Sequence, residues 1–125
     1  MSVILVMKRT VVIGASPNPS RYSHRATIEL YNNGHEVYPI GLRPGSIAGM
    51  EIITDLPEIV EVDTVTLYVG PQNQAAYLEY IKRLSPVRLI LNPGTENDEI
   101  IVFAEREGIK VECACTLVML SIGNY

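Results

Sequence analysis

The sequence predicts an α/β fold: a doubly wound parallel sheet of about five strands in a three-layer αβα arrangement. Three observations predict it. Short β-branched runs alternate with amphipathic segments of about 12 residues, the spacing of right-handed βαβ crossovers. The first run is β-branched and ends at a glycine, as in strands covered by helices on both faces. Each run ends in a loop carrying glycine, proline or another small residue. At 125 residues, 47% hydrophobic and 19% charged, the chain is expected to form one domain over residues 1–125 with its own core.

Residues 9–14 read as the first buried strand, ending at Gly14. Residues 15–20 form a loop, with Ser20 placed to cap a helix whose inner face is Ser23, Ala26, Thr27 and Leu30. Asn33 and Gly34 close that helix, glycine suiting the left-handed position. Residues 36–40 are the second strand, 41–49 a loop, and 56–60 a short helical turn. Residues 64–69 form the third strand, stopped by Gly70 and Pro71. Proline suits the first turn of the following helix, whose apolar stripe is Tyr77, Leu78, Ile81 and Leu84. Residues 87–91 form the fourth strand, ended by Asn92, Pro93 and Gly94. Thr95 is expected to cap a third helix, with Glu96, Asp98 and Glu99 at its positive end and Ile100, Phe103 and Ala104 facing inward. Gly108 ends it, 109–113 form the fifth strand, and 116–122 a terminal helical segment.

The formal net charge is −4. Residues 1–50 hold five basic side chains (Lys8, Arg9, Arg21, Arg25, Arg43) and two acidic ones (Glu29, Glu36), whereas residues 51–125 hold five basic and twelve acidic. Without a basic cluster, duplex nucleic acid is excluded as a partner, while the basic first half suits a compact anion. No apolar run reaches the ~18–20 residues that span a bilayer, so no membrane partner is expected. The basic residues Lys8 and Arg9 follow the apolar start, the reverse of a signal peptide, and a cytoplasmic location is expected. Cys113 and Cys115 share one face of a strand and are expected to stay reduced, because two thiols without nearby histidines do not make a metal site. The apolar ends, residues 3–6 and 117–122, leave room for a homodimer interface and serve equally as core cover.

In open parallel sheets, ligands bind beyond the carboxyl ends of the strands, where the strand order switches. The loops leaving the strands are therefore the informative segments: residues 14–20, 41–45, 70–72, 92–95 and 114–116. Their turn residues let a ligand approach backbone amides, which hold phosphate well at a helix N-terminus. The first loop lacks the G-x-G-x-x-G dinucleotide pattern, with Ser16 and Pro19 in place of its second and third glycines. The second strand lacks the terminal carboxylate of an NAD site and offers Arg43 just beyond it. A guanidinium there favours a ribose carrying a phosphate, which points to NADP or coenzyme A.

The stretches VIGASPNPSRYS (12–23), GHEVYPI (34–40) and NPGTEN (92–97) carry a resemblance. From about residue 10 to 125 the chain resembles the stand-alone CoA-binding domain proteins, related to the nucleotide-binding domain of the succinyl-CoA synthetase alpha subunit. The resemblance implies a Rossmann-like fold and a ligand that is coenzyme A or an acyl-CoA, held without catalysis. It also implies a set of contacts. Gly14, Ala15 and Ser16, with Arg21, Tyr22 and Ser23, would surround the diphosphate. Arg43 and Pro44 would lie by the adenosine and its 3′-phosphate. Gly70 and Pro71 would border the adenine or the pantetheine arm, and Asn92, Pro93 and Gly94 would line the pantetheine side.

No catalytic group stands out. Ser16 is not in a G-x-S-x-G elbow and reads as a phosphate-facing hydroxyl. His24 reads as a half-exposed helix residue able to assist a phosphate, His35 as a solvated loop residue, and Cys115 as a thiol near the ligand edge. Two rival readings remain: an NADP-dependent redox protein, and an interaction domain with a degenerate nucleotide site.

Overall fold

A computed structural model describes residues 6–125; the apolar residues 3–5 considered above lie outside them. In chain order the elements are β1 (Arg9–Ile13), α1 (Tyr22–Asn32), β2 (Glu36–Ile40), β3 (Ser46–Ile47), β4 (Met50–Glu51), β5 (Thr64–Leu67), two 3₁₀ turns (Pro71–Asn73 and Ala75–Tyr77), α2 (Leu78–Leu84), β6 (Arg88–Leu91), α3 (Asp98–Arg106), β7 (Lys110–Cys113) and α4 (Thr116–Ser121). Five strands form one parallel sheet in the order β2-β1-β5-β6-β7, a Rossmann-like doubly wound arrangement. The order reverses between β1 and β5: the chain leaves β1 toward β2, then returns to build outward from β5 on the other side.

Strand alternation divides the core in two. Val11, Ile13, Val65, Leu67, Leu89 and Leu91 pack with Tyr80, Ile81, Leu84, Ile100 and Ala104 of α2 and α3. Val12 and Ile90 pack on the opposite face with Leu30 of α1 and Met119 of α4, joined by Ile47, Ile52 and Tyr125. This second face also carries a buried threonine row. Thr10 pairs with the Tyr125 hydroxyl (2.7 Å), Thr64 accepts from Arg88 Nε (3.0 Å), and Thr66 pairs with Thr116 (2.8 Å). At the amino end of the sheet the Tyr125 ring packs at a tilt against His35 and lies under the Arg88 guanidinium.

Several local expectations are corrected. Ser20 does not cap α1: Arg21 occupies that position without a side-chain bond, and Ser20 instead donates to Asn18 Oδ1. Thr95 does not cap α3, because its hydroxyl donates to the Asn92 carbonyl (2.8 Å) and Asn97 caps the helix through Glu99 N. The turn expected at 56–60 is not helical. Pro57 disfavours helix at Leu56, and its carbonyl accepts from the Tyr80 hydroxyl (2.8 Å). The 41–49 loop contains half of a hairpin, β3 with β4, turning through Ala48 and Gly49 at positive φ. The stripe of α2 is Tyr80, Ile81 and Leu84, while Tyr77 sits in the preceding 3₁₀ turn.

Candidate functional site

A cleft of about 840 Å³ lies at the carboxyl ends of β1 and β5, where the strand order switches. It gathers Gly14, Ala15, Ser16, Arg21, Tyr22, Ser23, Arg43, Gly70, Pro93 and Gly94 from the sequence-derived set. Pro44, Pro71 and Asn92 are not in its lining. It adds Pro17, Asn18, Leu42, Tyr68, Val69, Asn73, Ala76, Tyr77 and Thr95. Of these, Pro17, Asn18, Leu42 and Thr95 sit in loops that composition marks, whereas Tyr68 belongs to the expected third strand and Tyr77 to the expected helix stripe, with nothing in the pattern to send either to a cleft.

The loop after β1 is shaped by its own hydrogen bonds. The amides of Gly14 and Ala15 both donate to the Ile40 carbonyl (2.9 Å each), so these residues form the turn rather than offer donors to a ligand. Gly14 has φ +99°, and a Cβ there would meet the Tyr68 backbone at 2.9 Å. Beyond it, His24 Nδ1 lies 2.8 Å from the Ser16 carbonyl. A carbonyl only accepts, so Nδ1 carries the hydrogen and pins the loop to α1. His24 is thus buried, not half-exposed, and positions the loop from beneath. The Ser16 hydroxyl accepts from Asn18 N (3.1 Å), which leaves its own hydrogen free to point elsewhere.

Donors remain where an anion would need them. No side chain caps α1, so the first-turn amides of Tyr22 and Ser23 have no acceptor among the described residues. Arg21 and Arg43 line the same end of the cleft, and among the described residues neither is ion-paired. The loop bearing Arg43 packs directly on the first loop because Gly41 lets it: a Cβ at 41 would fall onto the Ala15 carbonyl oxygen.

The loop after β6 differs. The amides of Gly94 and Thr95 donate to the Glu96 carboxylate (2.6 and 3.1 Å). Glu96 itself is exposed and outside the cleft's lining, so these two amides are not free for a ligand. Asn92 lies beneath this loop, 1% exposed, and is fully engaged. Its Nδ2 donates to Thr66 Oγ1 (2.7 Å) and the Leu67 carbonyl (2.9 Å), and its Oδ1 accepts from Thr116 N (2.9 Å). Gln74, also buried, ties the wall together by donating to the Val69 and Thr95 carbonyls. Tyr68 lies in the cleft's lining with its hydroxyl buried and unpartnered, and that burial pushes its ionisation well up.

The remaining candidates lie elsewhere. Cys113 is exposed on β7, Cys115 is half-buried before α4, and both are free thiols outside the cleft's lining. His35 is not a solvated loop residue: its Nδ1 accepts from Lys8 N (3.0 Å) and its ring packs against Tyr125. A second hollow of about 610 Å³ runs along α3, but Asp98, Glu99 and Glu107 line it and disfavour an anion. No helix among the described residues is long and apolar enough to cross a membrane.

An open parallel sheet with an amide- and guanidinium-lined cleft at its switch point defines a class: Rossmann-like α/β proteins, in which the carboxyl edge of the sheet is the usual ligand site. Within that class the chain belongs to the CoA binding domain family, whose model matches residues 8–121. A crystal structure of an uncharacterised protein is 46% identical, covers 96% of this chain and 99% of that chain, and superimposes with a TM-score of 0.93. The structure of cell-free ID.343 from Thermus thermophilus is 24% identical over 95% of this chain and 91% of that one, with a TM-score of 0.79. A dinucleotide-forming acetyl-coenzyme A synthetase from Ca. Korarchaeum cryptofilum, in complex with phosphate and ADP, shares the fold at 18% identity, covering 86% of this chain and 26% of that one, with a TM-score of 0.71. No curated protein matched in sequence.

Proposed function

We propose that the cleft binds coenzyme A or an acyl-CoA, as a carrier or sensor without catalysis of its own. The observation that carries this reading is the uneven placing of free donors around the cleft. Arg21, Arg43 and the uncapped start of α1 line it without partners, whereas the amides of Gly94 and Thr95 are already taken by Glu96. A ligand with a charged head and a long uncharged arm fits this placing in one direction only. The diphosphate sits against Ser16, Tyr22 and Ser23, the 3′-phosphate by Arg43, and the pantetheine arm passes Pro93 and Gly94. A dinucleotide carrying a second charged or polar nucleoside finds no free amide at Gly94 and Thr95, which puts NADP behind coenzyme A. The free cysteines fit a reducing compartment, and the reading includes a cytoplasmic location.

Thermal shift with CoA, dephospho-CoA, NADP and NAD tests the proposal. Ligand at about 100 times its Kd adds ~2.7 kcal/mol, which moves the midpoint of a domain this size by roughly 3–8 °C. CoA should give the largest shift, dephospho-CoA a smaller one, and Arg43→Ala should erase the difference between them. A larger shift with NADP, or none with CoA, would overturn it.

A further inference from the structure

We propose that the outer edge of β7 docks a second copy of this chain, paired antiparallel about a two-fold axis at Val111. This goes beyond the ligand reading and does not depend on it. The two sheet edges are built differently. At the β2 edge, Pro39 sits within the strand, and residue 53 closes over it: Ile53 N donates to the Pro39 carbonyl (2.8 Å) and Gly41 N to the Ile53 carbonyl (3.1 Å). Proline and a covering segment are standard protections of an edge. At the β7 edge, among the described residues, no segment pairs with the strand.

The direction of the ladder shows what that edge offers. Lys110 N donates to the Val87 carbonyl and Ala114 N to the Leu91 carbonyl (3.1 Å each), so residues 110, 112 and 114 turn their backbone groups toward β6. Alternate residues face the other way, so Val111 and Cys113 point N–H and C=O outward. Two copies of Val111 placed opposite each other exchange both hydrogen bonds.

Charge selects the same register. Lys110 and Glu112 lie on one face of the strand, 3.1 Å apart, with Arg88 3.6 Å from Glu112. With Val111 opposite Val111 of the second copy, Lys110 faces Glu112 of that copy on both sides of the axis. A shift one way sets Lys110 against Lys110, and a shift the other way sets Glu112 against Glu112; like charges directly opposite are destabilising.

Size-exclusion chromatography with light scattering on the wild-type chain tests this, together with two variants. The wild-type chain should run at twice the monomer mass. Lys110→Glu, which sets like charges across the seam, should run as a monomer with an unchanged circular dichroism spectrum. In a Cys113→Ser, Cys115→Ser background, Val111→Cys should form an intermolecular disulfide on mild oxidation, because Cα atoms of a hydrogen-bonded antiparallel pair lie about 5.5 Å apart, within disulfide reach. A monomeric wild-type chain, or a dimer that survives Lys110→Glu while Val111→Cys fails to cross-link, overturns the proposal.

Discussion

Gly41 shows how one residue fixes the spacing of two loops. A methyl group there would overlap the Ala15 carbonyl oxygen, a backbone atom that cannot move without moving the turn after β1. Gly41→Ala is expected to destabilise the fold by about 2 kcal/mol or more and to weaken CoA binding beyond that loss; chemical denaturation and calorimetry separate the two effects. His35 makes a different prediction. Burial, then the charges of Lys8 and Arg88, lower its pKa below 6.5, with Asp63 opposing. As acceptor from Lys8 N its Nδ1 carries no hydrogen, so protonation at Nδ1 breaks that bond. The unfolded chain takes up the proton first as pH falls. Stability is therefore full above about pH 6.5 and declines as pH drops through that value toward the lowered folded one. The melting temperature should fall between about pH 7 and pH 5, and His35→Asn should flatten the slope in that window.

At the scale of elements, Asn92 joins the ends of β5 and β6 to the start of α4 by three side-chain hydrogen bonds. Asn92→Ala leaves Thr116 N and the Leu67 carbonyl without these partners, and should cost about 2–4 kcal/mol, read as a lower midpoint in urea. The five strands and four helices were legible because apolar periodicity is a local property, and Ser23, Ala26, Thr27 and Leu30 are buried as the pattern required. What failed was decided by the partner each group finds in the folded chain, near or far in sequence. Thr95 has the chemistry of a cap, but a buried loop draws its hydroxyl to the Asn92 carbonyl, and Asn97 caps instead. The residue 56–60 turn failed because Pro57 met Tyr80, 23 positions away. The β3–β4 hairpin turns at Ala48 and Gly49, both at positive φ, and alanine gives no turn signal of the kind asparagine or aspartate would.

For the whole molecule, the sheet order places the carboxyl ends of β1 and β5 together, and this brings ten of the thirteen expected residues into one cleft. That much follows from the rule that ligands sit at the switch point. The roles within the cleft did not follow from sequence. Gly14 and Ala15 shape rather than donate, because Ile40 takes both amides. Asn92 builds the wall from beneath, and Glu96 takes up the Gly94 and Thr95 amides by folding back on them. Each of these depends on which atom reaches which in the folded chain, information that spacing does not contain.

The most direct measurement of the ligand's place is a nitrogen–proton correlation spectrum recorded during titration with CoA. The amide signals of Ser16, Tyr22 and Ser23 should move most, with Arg43 and Gly94 marking the two ends of the bound molecule. Absence of shifts, or shifts gathered at the amino end of the sheet around His35, Asp63 and Tyr125, would contradict it.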